Sequence, residues 1–301
     1  MIQRFAACAV MFLTCAITSA AEPMPTVTVL EPTGESTPLT NAQFTQGTRR
    51  LAWLADPKGT TEDAKKGPLA FELREPGSST FVQGVLTLIP LSSIEGMKYD
   101  YEKKLFTLQA AGIVAPFTGS LEFIGFNAIG LEAEVKKGTA GIAVVKYRGG
   151  QAKGGIRGIS MTGAKPYERK PDANAMHWSV QILDAKAKNH VINVTNLRPL
   201  YRLPDGTEKF LPVLPFQKTL QLDWADVRGF KHEPPAMKGQ PAEVIVVGKD
   251  GKEQTLSPKT ILEQDGKKAT LLGLLGEVPG GFKLIPLHTI LELKPQPQAE
   301  K

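Results

Sequence analysis

His232-Glu233, with Asp223 and Asp226 a few residues upstream, is the stretch of this chain richest in groups that bind metals or move protons. The other histidines are His177, His190 and His288. None stands in His-x-x-x-His or His-Glu-x-x-His spacing, so the helical zinc motifs are excluded. A site joining His232, Asp223 and Asp226 to His177 or His190 would depend wholly on the fold. His288 sits in a repeated motif whose first copy has Ser92 in its place, which argues against a catalytic role common to both copies.

Carboxylate chemistry has one candidate pair. On a strand, Glu132 and Glu134 project from the same face roughly 7 Å apart, a separation that glycosidases use. Two outward glutamates on a half-buried strand are also what an ordinary solvated face looks like. The chain contains no Gly-x-Ser-x-Gly elbow for a serine nucleophile. Trp53, Trp178 and Trp224 are of the type that stacks on sugars, but tryptophan is more often core.

A glycine-rich loop, Gly149 to Gly155, carries Lys153 and is followed by Arg157, with Lys136 and Lys137 in the preceding turn. Its amides could cradle an anion. It lacks the spacing and the Lys-Ser/Thr ending of a phosphate-binding loop, and no helix follows. These four basic residues are the candidate anion-binding set. No residue pattern points to a cofactor or a metal.

The elements that must position these groups are strands. Leu69, Phe71 and Leu73 alternate with polar or small residues. Phe81 to Ile89, Ile94 to Asp100, Leu105 to Leu108, Ile129 to Val135, Ile142 to Tyr147 and Ile156 to Met161 follow as a meander with short connections. His177 to Ile182 and His190 to Val194 continue it. Pro204-Asp205-Gly206-Thr207 predicts a tight hairpin, because Asp-Gly suits the turn that matches strand twist. Asp223 to Val227 has room for one helical turn.

A repeat runs through this pattern. Leu284-Ile285-Pro286-Leu287-His288-Thr289-Ile290 echoes Leu88-Ile89-Pro90-Leu91-Ser92-Ser93-Ile94. A looser third copy is Val213-Leu214-Pro215-Phe216, with Leu220 one residue late. The repeat positions are therefore Pro90, Leu91, Ile94, Pro215, Pro286, Leu287 and Ile290. The expected unit is a strand stopped by proline, a short turn, and the start of the next strand.

These patterns predict an all-β protein of antiparallel meanders or small barrels in two or three modules. The expected layout is an N-terminal β domain over 22–162, a middle β region over 175–230 that shares a core with it or stands apart, and a small barrel over 242–294. The proline-rich stretch Lys231 to Pro241 marks the boundary before the last unit, and 295–301 is expected to be a disordered tail. The strand order expected for 242–294 resembles SH3-like and Sm-like barrels, in which a short turn precedes the last strand. That resemblance implies a fold and carries no functional residue across.

The first residues predict the compartment. Arg4 precedes an apolar run from Phe5 to Ile17, and Thr18-Ser19-Ala20-Ala21 supplies small residues for cleavage. This is the pattern of a secretory signal peptide over 1–21. The run is shorter than the about 20 residues of a membrane-spanning helix, and no later stretch reaches that length. Both cysteines, Cys8 and Cys15, fall inside it, so the chain that follows has no disulfide and no thiol chemistry. Removing Arg4 from the 36 basic residues leaves 35 against 30 acidic ones, a mildly basic and well-mixed balance.

The functional expectation is an exported, non-catalytic β-rich binding or structural module of a periplasm or cell envelope. Its expected partners are an envelope protein or an acidic polymer, and not nucleic acid. An envelope polysaccharide hydrolase with unidentified carboxylates and a polyanion binder using the basic loops are the alternatives.

Overall fold

The computed structural model describes residues 26–55, 67–76, 83–121, 128–136, 142–150, 155–168, 175–183, 189–217, 220–233, 243–264 and 267–296. The proposed signal segment, Lys137 and Lys153 lie outside them.

The chain is almost entirely strands in antiparallel ladders. It begins with β1 (Thr26–Leu30), β2 (Ser36–Gln46) and β3 (Thr48–Arg50), then a one-turn helix α1 (Ala52–Ala55). Next come β4 (Leu69–Pro76), β5 (Gln83–Pro90), β6 (Ile94–Asp100), β7 (Leu105–Ala110), β8 (Phe117–Ser120), β9 (Ile129–Lys136), β10 (Ile142–Gly149) and β11 (Gly158–Thr162). The second half holds β12 (His177–Leu183), β13 (Asn189–Arg202), β14 (Glu208–Phe210), β15 (Val213–Pro215), β16 (Gln221–Asp223) and β17 (Val227–Glu233). It ends with β18 (Glu243–Gly248), β19 (Glu253–Leu256), β20 (Ile261–Gln264), β21 (Lys267–Val278), β22 (Gly281–Ile285) and β23 (Ile290–Pro295).

Two large sheets result. An eight-stranded sheet has the order β10-β9-β2-β1-β11-β6-β7-β8. A 13-stranded sheet follows the path β19-β18-β17-β23-β12-β13-β21-β22-β5-β4-β3, with β14 added on β13 and β20 on β21. Three chain links join the sheets: β11 leads on to β12, and the other two are short. β2 continues into β3 through Gly47, whose φ of +83° is in the region that favours glycine. β5 passes into β6 through a single 3-10 turn, Leu91–Ser93.

Following these pairings and links gives two closed rings. The first runs β6-β11-β1-β2/β3-β4-β5 and returns to β6 through the Leu91–Ser93 turn. Its interior is one apolar cluster that includes Val29, Phe71, Ile89, Ile94, Phe106 and Ile159. The second runs β23-β12-β13-β21-β22 and returns to β23 through the turn Leu287–Thr289. Its interior holds Trp178, Val180, Ile192, Leu274, Ile285 and Ile290. Burying such side chains is worth roughly 1.5–3 kcal/mol each, so each ring has its own core. An SH3-like closure confined to 242–294 is not seen among the described pairings: the ring around β22 and β23 runs through β12 and β13.

The rings are fused at β5 and β22, which pair antiparallel with Phe282↔Leu88, Lys283↔Thr87 and Leu284↔Leu86. One face of this seam packs a third cluster, with Leu86, Leu88, Phe282 and Leu284 under Leu51 and Trp53 of the α1 region. Trp53 meets Phe282 edge-on at 4.8 Å between ring centroids and Phe210 at 5.6 Å. Beside it Arg49 bridges Glu72 of the first ring at 3.0 Å and Glu208 on β14 at 3.3 Å.

The repeated motif makes the ring-closing turns. Pro90 and Pro286 hold φ values of −53° and −62° and end their strands without needing a donor. Ser93 Oγ donates to Pro90 O at 2.8 Å, and Thr289 Oγ1 donates to Pro286 O at 2.7 Å. Ile94 and Ile290, both fully buried, anchor the outgoing strands. Pro215 also ends a strand, but there the chain folds back on itself and β15 pairs with β16. The backbone match to the two proline turns comes next. Asp223 holds φ −65° before the turn Trp224–Asp226, and Val227 starts β17 at φ −81°. Asp223 caps its turn by accepting a hydrogen bond from the Ala225 amide at 2.9 Å.

Candidate functional site

The second ring and its inserted strands enclose an apolar cavity of about 480 Å³. Its walls come from six parts of the chain, one of them the 258–260 segment. Leu214 reaches it from β15, Phe230 and His232 from β17, Val244 from β18, Leu271 from β21, and His288 from the proline turn. The alternation of β17 places Phe230 and His232 on one face, and His232 pairs in register with Val244. A bridge between Phe216 and Pro258 ties the 257–260 segment over the cavity, helped by Lys259 N–H donating to Pro215 O at 3.0 Å. The Leu271 amide donates to Thr260 O at 2.7 Å and fixes the other side.

The lining divides sharply by polarity. Leu214, Phe216, Phe230, Val244 and Leu271 are buried. Lys259, Thr260, Thr270 and His288 are exposed at the rim. Among the described residues no carboxylate lines the cavity. His232 is half-buried, and its Nδ1 is shielded from solvent with no hydrogen-bond partner. Burial holds its pKa below the usual histidine value, and the neighbouring His288 lowers it further. An imidazole with unused hydrogen-bonding capacity beside an apolar wall is unusual, because unpaired buried polar atoms are costly.

The other residues singled out in the sequence go elsewhere. Asp223 and Asp226 line a separate cavity, where Asp226 pairs with Lys249. His177 belongs to a separate cleft near Glu277, and His190 stands exposed on β13. The fold therefore does not join His232 to Asp223, Asp226, His177 or His190. Among the described residues no group of three His, Cys, Asp or Glu side chains is placed to hold a metal ion. Glu132 is paired with Lys146 at 3.3 Å, and Glu134 accepts from Asn41 Nδ2 at 2.9 Å. Trp53 and Trp178 are buried core, and Trp224 Nε1 donates to Leu197 O at 2.7 Å.

Of the basic set, Arg157 is exposed before β11, and its backbone is held between Leu30 O and the Tyr99 amide, both at 2.8 Å. Lys136 ends β9 opposite Ile142. The His232–His288 meeting had no sequence signal. It arises because β17 and the proline turn, far apart in the chain, converge on one cavity.

No protein-family model, no curated protein and no solved structure matches this chain. What defines it is its own geometry: an antiparallel all-β protein of two fused rings, with one apolar cavity rimmed by two imidazoles. No helix among the described residues is long and apolar enough to cross a membrane.

Proposed function

We propose that this chain is an exported binding module whose recognition element is the cavity beside His232 and His288. The observation that carries this reading is the combination of a buried apolar wall with a polar rim and an unsatisfied imidazole nitrogen. Pockets for small ligands have this make-up, with a mostly apolar interior, a few placed polar groups and a volume of about 300–1,000 Å³. Export is supported by the run from Arg4 to Ala21, whose charge, length and small residues suit a cleaved signal. The two carboxylates with glycosidase-like spacing are engaged with Lys146 and Asn41, which favours a solvated surface over a hydrolytic site.

Titration with the neutral apolar dye Nile red tests this reading. One saturable site is expected, lost in Val244→Phe, which fills the cavity, and in Thr270→Trp, which blocks its rim. Thr270 is exposed, so that variant is expected to melt like the parent. Dye binding unchanged in a folded Thr270→Trp protein would remove the cavity from the account.

A further inference from the structure

The cavity is asymmetric in charge as well as polarity. Its rim carries Lys259 and His288, half-buried His232 also lines it, and none of the described residues lining it is Asp or Glu. The two imidazoles are near enough for charge on one to disfavour charge on the other. An anion beside them would favour their protonated forms and ease that repulsion. Lys259 supplies a fixed positive charge on the segment that closes over the opening. Below the rim, Phe230, Val244, Leu271 and Leu214 offer no polar side-chain atom to a guest.

We propose that the cavity takes a free single-chain amphiphile with an anionic head, its tail between Phe230, Val244 and Leu271 and its head at Lys259, His288 and His232. The inference rests on the cavity being the recognition element and adds the ligand's chemical class. A volume of about 480 Å³ suits one acyl chain and not the paired chains of a phospholipid. Removing an alkyl tail from water contributes about 0.8 kcal/mol per buried methylene, so the apolar wall supplies most of the affinity. The head contributes orientation and selectivity, because reversed or missing charge at the rim leaves the anion facing like charge or nothing.

The test is calorimetric titration of the full chain with decanoate, decanol and decyltrimethylammonium at one pH near neutrality. Decanoate is expected to bind at one site, about tenfold or more tighter than decyltrimethylammonium. Lys259→Glu and His288→Glu, both at exposed positions, are each expected to weaken decanoate several-fold and leave decanol unchanged. Thr270→Trp is expected to abolish all three. Equal or tighter binding of the cationic or neutral probe would overturn the anionic-head assignment while leaving the cavity as a binding site. Failure of all three probes to bind the folded parent chain would overturn both. Decanoate bound equally by the parent and Thr270→Trp would place the site elsewhere and also sink the proposal.

Discussion

Thr87 and Lys283 face each other at the centre of the β5–β22 seam, and the shift along the chain that carries Leu88-Ile89-Pro90-Leu91 onto Leu284-Ile285-Pro286-Leu287 carries Thr87 onto Lys283. The same shift takes Leu86 to Phe282 and Leu88 to Leu284, and each pairs with the other's counterpart. The seam is therefore a local two-fold axis between two copies of one strand-turn-strand unit. Antiparallel pairing of a strand with its own repeat always produces such an axis, as in an isologous dimer interface. Each copy hands its proline turn to its own ring, so the rings lie on either side of the axis.

The axis is held by close backbone contact at Gly281. A Cβ there would lie 2.3 Å from Leu88 O, a backbone atom that cannot swing aside. Gly281→Ala is expected to part β22 from β5 and to cost about 1–3 kcal/mol, the usual range for overpacking. Urea unfolding would register the loss, and hydrogen exchange would place it at the amides of 86–88 and 282–284. Unchanged exchange across the seam would show that the strands tolerate the methyl group.

The hydroxyl in each proline turn is the next test. Thr289 and Ser93 each return a hydrogen bond to the carbonyl of the proline three residues before, in a buried setting. Thr289→Val keeps the shape and removes the donor, at an expected cost of about 1 kcal/mol. Thr289→Ser is expected to sit near the parent. Ser93→Ala is expected to cost a similar amount, and the double variant close to the sum, since the two turns serve separate rings. A silent Thr289→Val would leave proline geometry alone as the reason for the repeat.

The turns and many of the strands were legible in the sequence because they depend on local signals. Proline before a buried isoleucine, alternation at Leu69, Phe71 and Leu73, and Asp205-Gly206 each act within a few residues. The Asp-Gly hairpin lies where expected, with Leu200 opposite Phe210. β2 was not legible: only Leu39 and Ala42 along it are buried apolar residues, and Pro38 reads as a loop. Its pairing with β1 and then β9 forms it, and that information is non-local. The third copy does end a strand at Pro215 before a short turn and the next strand, but it makes the β15–β16 hairpin and not a ring-closing turn. Asp223-Trp224-Ala225-Asp226 makes its turn with a side-chain cap, so it shares a backbone path with Pro90 and Pro286 and almost no residue types. The pairing of β22 with β5, which fuses the rings, leaves no mark in residue spacing. Neither does the meeting of His232 and His288.

Arg49 ties the rings electrostatically. It lies between Glu72 and Glu208, Glu208 also holds Arg202 at 2.8 Å, and the side chains of Arg49 and both glutamates are at most 15% exposed. Breaking a buried pair leaves a charge without compensation. Glu208→Ala is expected to destabilise the protein by about 3 kcal/mol, read as a lower urea midpoint. The exposed pair Lys268–Glu263 provides the contrast: Lys268→Ala is expected to leave the midpoint in place. Comparable effects from the two substitutions would mean that the Arg49 cluster is hydrated well enough to act like a surface pair.

His232 gives the cavity a pH signature. Its pKa in the folded protein is below that of the unfolded chain, first because of burial and then because of His288. Above the unfolded value, near about 6.5, the ring is neutral in both states and contributes no slope. As pH falls below that value the unfolded chain takes up a proton that the folded protein refuses. Stability therefore declines with falling pH until the folded pKa is reached, and below it the contribution is flat. Urea midpoints between pH 7.5 and 5.5 are expected to fall more steeply for the parent than for His232→Phe, so that carboxylates titrating in both proteins cancel. His288→Gln removes the neighbouring imidazole that lowers the His232 pKa beyond burial alone, and is expected to give an intermediate slope. Bound decanoate is expected to shrink the parent's slope, because an anion at the rim favours the protonated ring. Parallel slopes for the parent and His232→Phe would show that the imbalance does not lie at this imidazole.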